Sequence, residues 1–248
     1  MTLNGLSLFS GIGGLDLGLD RAGIATVGQV EIDPWCRRVL ARHWPDVPRH
    51  DDVRTAGDWW LSEERPDVDV VAGGPPCQPF SAAGRRRGVG DERWGWPWMA
   101  AVVRLVRPRY VVVENVAALL DDPDAFGWIL ADLAALRFDA EWSVLSACAM
   151  GAPHPRERLF VVAHPHGGHG SSGLGHLTDR PGSLQSRRLR ARAWRDDVDR
   201  SLAASRADDR ETDGPARRMV AAGGNAVVPQ VAEVVGRLIV TAEKESAA

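Results

Sequence analysis

The chain has 248 residues, enough for one sizeable core or one core with a small appendage. Hydrophobic residues make up 44% and charged residues 25%, a globular balance that excludes wholesale disorder. No apolar run approaches the ~20 residues needed to span a bilayer, and no basic segment leads into an apolar one at the N-terminus. The expectation is a protein with no membrane partner, not secreted by the usual routes.

Net charge is −3, so the molecule as a whole is not a basic nucleic-acid glue. Lys244 is the only lysine and the other 29 cations are arginines, a bias best explained by coding composition; arginine suits phosphate recognition, but abundance alone does not show it. Cys36, Cys77 and Cys148 show no paired spacing, which fits a reducing cytoplasm.

Over residues 1–164 short apolar strands alternate with helical periodicity, the pattern of a mostly parallel sheet wrapped by helices on both faces. Leu6–Phe9 reads as the first strand and runs into the glycine turn Ser10–Gly14. A helix over Leu15–Ala22 stops at Gly23. Val27–Glu31 is the second strand. Asp33 caps a helix with Pro34 in its first turn, and Cys36, Val39, Leu40 and His43 share one face. Val68–Ala72 is a buried strand ending in Gly73-Gly74. Trp98, Ala101, Val102 and Leu105 form a helical stripe, and Tyr110–Val113 the next strand. Phe126, Ile129, Leu130, Leu133 and Leu136 again follow helical spacing. Strands near Glu141–Ala147 and Leu159–Ala163 complete the sheet.

The character changes at Pro165. Residues 165–218 carry 11 arginines, 8 acids and only seven large apolar residues, too few for a core of their own. A final helix follows, with Val231, Val234, Val235 and Leu238 on one face. The expected organisation is one α/β domain over 1–164 and 219–248, interrupted by a short irregular region at 165–218.

Ligands of an open parallel sheet bind beyond the carboxyl ends of its strands. The residues at those ends are Ser10–Gly14, Glu31, Asp51-Asp52-Val53, Gly73–Ser81 and Glu114-Asn115. Glycines let the backbone approach a ligand, and an acid at the second strand's end can accept two ribose hydroxyls. The loop Gly73-Gly74-Pro75-Pro76-Cys77-Gln78-Pro79-Phe80-Ser81 holds a lone thiol between glycines and prolines, so Cys77 is placed like a nucleophile. Cys36 belongs to a helix face, and Cys148 stands at a strand end. Glu114 would be partly dehydrated, with a raised pKa suited to donating a proton. Strand alternation puts Arg156 and Arg158 on one face, opposite Glu157. His164, His166, His169 and His176 have no cysteine or acid at ligand spacing, so no metal is expected. Arg85-Arg86-Arg87, in the Gly-rich stretch after the cysteine loop, is either a phosphate contact or an exposed basic loop.

The ordered segments LFSGIGGLDLGL (8–19), GGPPCQPFS (73–81), ENV (114–116), RER (156–158) and GNAVVPQ (224–230) resemble the motifs of the cytosine-5 DNA methyltransferases, bacterial or phage type. The resemblance covers 1–164 and about 219–243. It implies a Rossmann-like fold that binds S-adenosylmethionine. Phe9, Ser10, Gly11 and Gly13 would line the methionine end and Glu31 the ribose. Asp52 and Val53 would lie at the adenine. Ile32, Pro76, Asn225 and Val227 would complete the pocket. Cys77 would attack carbon 6 of a cytosine flipped out of DNA, Glu114 would hold and protonate ring nitrogen 3, and Arg156 and Arg158 would anchor the base carbonyl and a phosphate. His154 stands where the family usually has glutamine, and 165–218 is shorter than the usual target-recognition region. A cognate restriction endonuclease or a partner carrying specificity is therefore expected. The alternatives are a catalytically weak or inactive remnant that binds cofactor or DNA, and an RNA cytosine methyltransferase on the same scaffold.

Overall fold

A computed structural model describes residues 2–76, 94–152, 156–167 and 226–246. Seven strands form one sheet: β1 (Leu3–Leu8), β2 (Ile24–Val30), β3 (Arg49–His50), β4 (Val70–Gly73), β5 (Tyr110–Val116), β6 (Phe138–Ser146) and β7 (Glu157–Pro165). Their order is β3-β2-β1-β4-β5-β7-β6. β3, β2, β1, β4 and β5 run parallel, whereas β7 pairs antiparallel with both β5 and β6. The chain winds outward from β1 in both directions, which makes the carboxyl ends of β1 and β4 the topological switch point where such sheets hold ligands.

Both faces are covered, and strand alternation divides the core in two. Leu6, Leu8, Val71, Val111, Val113, Leu159 and Val161 point to one side, towards α3 (Ala56–Leu61), α4 (Trp96–Val106) and α5 (Pro123–Ala135). Leu3, Ile24, Val70, Val112, Phe160 and Val162 point to the other, towards α1 (Gly14–Ala22) and the C-terminal helix α6 (Pro229–Ser246). Asp33 caps α2 (Pro34–His43) by accepting from the Trp35 and Cys36 amides, and Pro34 occupies the first turn as expected.

Several expectations shift. β5 continues through Val116, so Glu114 lies within the strand rather than beyond it. The buried face of α4 is Trp96, Met99, Ala100, Val102 and Val103, while Trp98 and Leu105 are exposed. Apolar residues occupy both faces of that helix, so periodicity alone does not select the right one. In α6 the buried line is Val231, Val235 and Ile239, with Val234 and Leu238 half-buried. His43 is exposed at the end of α2. His164 is buried 3.8 Å from Glu141, and His166 pairs with Asp139 at 2.8 Å. His169, His176, most of the 165–218 region and Arg85–Arg87 lie outside the described residues.

Candidate active site

The turn between β1 and α1 is built from left-handed backbone. Phe9 has φ 54°, Gly11 φ 55° and Gly13 φ 85°. A Cβ added to Gly11 would meet nothing within 4 Å, so a ligand can approach the backbone there. At Gly13 a Cβ would strike the Trp44 ring 2.4 Å away, and at Gly14 the Val227 carbonyl oxygen at 2.3 Å. These glycines let the turn sit tightly between α2 and the segment entering α6. A cavity of about 830 Å³ opens beside it, lined among others by Ile12, Leu17, Trp44, Arg156 and Val227. Gly13 and Val227 share that cavity, but Glu31, Ile32 and Asp52 do not line it.

Glu31 follows β2 directly and is largely buried. Its Oε2 accepts from the Gly11 amide at 2.7 Å and its Oε1 from the Asp33 amide at 2.8 Å. A carboxylate held this way keeps lone pairs on both oxygens for two further donors, so it fits a ribose diol. Ile32 beside it is 74% exposed, an apolar surface free to cover a flat ring. Asp52 is already engaged. It caps the short 3₁₀ turn Val53–Thr55 and forms a two-pronged pair with Arg54, with Nη2 to Oδ2 at 2.6 Å, which holds its carboxyl down at about 2. Val53 packs against the core.

The second cluster stands at the end of β5. Strand register places Arg158 opposite Val116, so Glu114, two residues back on the same face, is its diagonal neighbour. Arg158 Nε lies 3.0 Å from Glu114 Oε1, so the two side chains form an ion pair. Burial raises the Glu114 pKa, against the opposing pull of the Arg158 and Arg156 charges. Arg156 lines the cavity, with its own pKa lowered by burial and by Arg158.

Cys77, Asn225 and His154 lie outside the described residues. The approach to Cys77 is well defined. Asn115 Nδ2 donates to the Pro75 carbonyl at 3.0 Å, and the Gly95 amide donates to the Pro76 carbonyl at 2.9 Å. The chain that enters the cysteine loop is thus tied to β5 one residue from Glu114, and the loop's two ends meet. Pro76 is exposed, and Phe9 lies close to Gly95. Of the other thiols, Cys36 is buried and pushed up to about 11 by burial, Glu31 and Asp33, which disqualifies it as a thiolate nucleophile near neutral pH. Cys148 is exposed, its sulfur 3.1 Å from Ser146 Oγ.

The sequence reading passed over one buried polar set. Asp16, Ser7 and Gln29 are all buried, in segments otherwise apolar or glycine-rich, and they bond to one another. The available signal was a polar residue on the inward face of three neighbouring elements.

A profile of C-5 cytosine-specific DNA methylases matches residues 3–179. The Type II methyltransferase M.AquIA of a Picosynechococcus strain is 34% identical over 175 residues, covering 64% of this chain and 71% of that protein. The Type II methyltransferase M.HgiCII of Herpetosiphon aurantiacus is 36% identical over 163 residues, covering 63% of this chain and 36% of its own length. Among solved structures, a prophage-encoded protein of E. coli described as a DNA modification methyltransferase superposes with a TM-score of 0.56 at 26% identity, covering 66% of this chain and 47% of that one. Relative to M.HgiCII and the prophage protein, the chain spans about half the length or less.

Proposed function

Because the chain belongs to the family of C-5 cytosine-specific DNA methylases, we propose that it transfers a methyl group from S-adenosylmethionine to carbon 5 of a cytosine in DNA, through a covalent bond to Cys77. The observation that carries this is Glu114: a buried carboxyl with a raised pKa, paired with Arg158 and one residue from the anchor of the cysteine loop.

S-adenosylmethionine supplies an electrophilic methyl group on a sulfonium. Glu31 would accept its ribose hydroxyls, and Phe9, Ser10, Gly11, Gly13, Pro76, Asn225 and Val227 would enclose the methionine end. Ile32, Asp52 and Val53 would lie at the adenine, with Asp52 turning from Arg54. Carbon 5 of cytosine is a poor nucleophile while the ring is aromatic. Addition of the Cys77 thiolate at carbon 6 breaks that aromaticity, while Glu114 protonates ring nitrogen 3, and the electron pair becomes available at carbon 5. After methylation a water molecule takes the carbon 5 proton, the electron pair of that bond expels the thiolate, and ring nitrogen 3 returns its proton to Glu114. Proton donation by a placed acid contributes about 10²–10⁴-fold. Arg158, held against Glu114, would take the base carbonyl, and Arg156 a neighbouring phosphate. The base must first leave the stack, at a cost of roughly a few kcal/mol.

Substrate DNA and a specificity partner or cognate endonuclease are part of the same proposal. Arginines of 165–218 can hold phosphates, but phosphate contacts carry no sequence information. Incubation with methyl-labelled S-adenosylmethionine and plasmid DNA, followed by bisulfite sequencing, should show slow cytosine methylation spread over many contexts. Label transferred to RNA and not to DNA would overturn the substrate. Transfer to neither would favour a remnant that only binds.

A further inference from the structure

We propose that Asp16 is a positioning residue for cofactor binding: its buried carboxylate is the acceptor on which two chains of hydrogen bonds converge, one of which orients Ser10 in the glycine turn. The inference rests on the cofactor reading above.

Asp16 lies on α1 with 1% of its surface exposed. Its Oδ2 accepts from Ser7 Oγ on β1 at 3.0 Å, and Ser7 Oγ in turn receives the hydroxyl of Ser10 at 2.9 Å. Its Oδ1 accepts from Gln29 Nε2 on β2 at 2.8 Å, and Gln29 Oε1 receives Arg49 Nη1 from β3 at 3.2 Å. A carboxylate has no proton to give, so both chains run towards it. Ser7 spends its proton on Asp16, and Ser10 spends its own inward, on Ser7 Oγ at 2.9 Å with the Ser7 and Val30 carbonyl oxygens each at 3.3 Å. The remaining lone pairs of Ser10 can then only accept, which suits a cationic group such as an amino acid's ammonium. The Ser10 backbone is set at the same point, with its amide donating to the Val30 carbonyl and its carbonyl accepting from the Gly13 amide.

The direction of the relay depends on the charge. Burial, with a smaller push from Asp20, raises the Asp16 pKa to about 6, against the bonds from Gln29 and Ser7. Asp20 itself accepts from the Thr26 amide and hydroxyl and from the Trp44 indole. Glu31 is held by the Gly11 and Asp33 amides, Arg49 also bonds the Trp44 carbonyl, and Glu233 on α6 pairs with Arg237. The folded pKa is raised, so the folded state binds the extra proton, and ionising Asp16 removes stability as pH rises from about 4 to about 6. A residue kept for packing alone would be better neutral. Asparagine has the same shape, but while its oxygen keeps the Gln29 bond its amide nitrogen donates to Ser7 Oγ, so the Ser7 hydroxyl turns to Ser10 and takes up one of its lone pairs.

The test is calorimetric titration of the full chain with S-adenosylmethionine and S-adenosylhomocysteine from pH 5 to 8, with thermal melts alongside. Wild type should bind about tenfold more weakly at pH 5 than at 7.5, the size of one charge-assisted hydrogen bond. Asp16→Asn should bind about as weakly as that at every pH, yet melt at or above the wild-type temperature at pH 7.5. In a Ser10→Ala background the same substitution should have little further effect. An Asp16→Asn protein with wild-type affinity and pH profile overturns the inference. So does one that melts lower while keeping the pH profile, since Asp16 would then only pack. Wild type binding neither ligand would instead remove the cofactor reading itself.

Discussion

Glu114 is buried between a strand backbone and two arginines, and its pKa is raised because burial outweighs both charges. Folding therefore favours its protonated form, and the ionised form becomes a burden on stability as pH rises through the folded pKa. Glu114→Gln removes that burden while keeping shape and an acceptor. The variant should melt no lower than wild type at pH 8, yet turn over at least about 10²-fold more slowly, as expected when a placed acid is lost. Single-turnover methyl transfer and thermal melts measure the two quantities. Wild-type turnover in Glu114→Gln would show that the carboxyl is a structural partner of Arg158. Glu114 was legible in the sequence because an acid ends an otherwise apolar run, Tyr110–Val113. Its pairing with Arg158 was not, because β7 enters the sheet antiparallel and only the register makes the two residues diagonal neighbours.

At the scale of elements, the helices that hold the glycine turn depend on close backbone approach. A Cβ on Gly18 in α1 would lie 2.4 Å from both the Ala232 Cβ and the Pro229 carbonyl oxygen of α6, and one on Gly236 would lie 2.6 Å from Ala22 Cβ. Backbone cannot yield as a side chain does, so Gly18→Ala should separate the two helices and cost roughly 1–3 kcal/mol. Gly127 in α5 is the control: a Cβ there meets nothing within 4 Å, so Gly127→Ala should stabilise by up to about 1 kcal/mol through helix propensity. Denaturant titration of both variants checks the pair, and equal effects would show that the contact between α1 and α6 is loose. The same scale shows where periodicity misleads. The N-terminal cap of α2 was readable from Asp33-Pro34, since capping is local chemistry. The buried face of α4 was not, since that helix carries Trp98 and Leu105 on its outer face as well as Trp96 and Met99 within.

Across the whole molecule, the strands, their alternation and the polar residues at their ends were visible in the sequence, because burial on both faces writes continuous apolar runs. Strand order was not, and it is the order that brings Glu31, the glycine turn and Glu114 to one edge. Among the described residues no helix is long and apolar enough to cross a membrane. The chain covers 71% of M.AquIA but only 36% of M.HgiCII. The proposed covalent bond between Cys77 and cytosine can be trapped. DNA containing 5-fluorocytosine has no proton to lose at carbon 5 after methyl transfer, so the thiolate cannot be expelled. Incubated with that DNA and S-adenosylmethionine, the protein should give an adduct that survives denaturing electrophoresis, absent in Cys77→Ser and retained in Cys36→Ser and Cys148→Ser. An adduct that persists in Cys77→Ser and disappears in either of the other two would place the covalent bond on a different thiol.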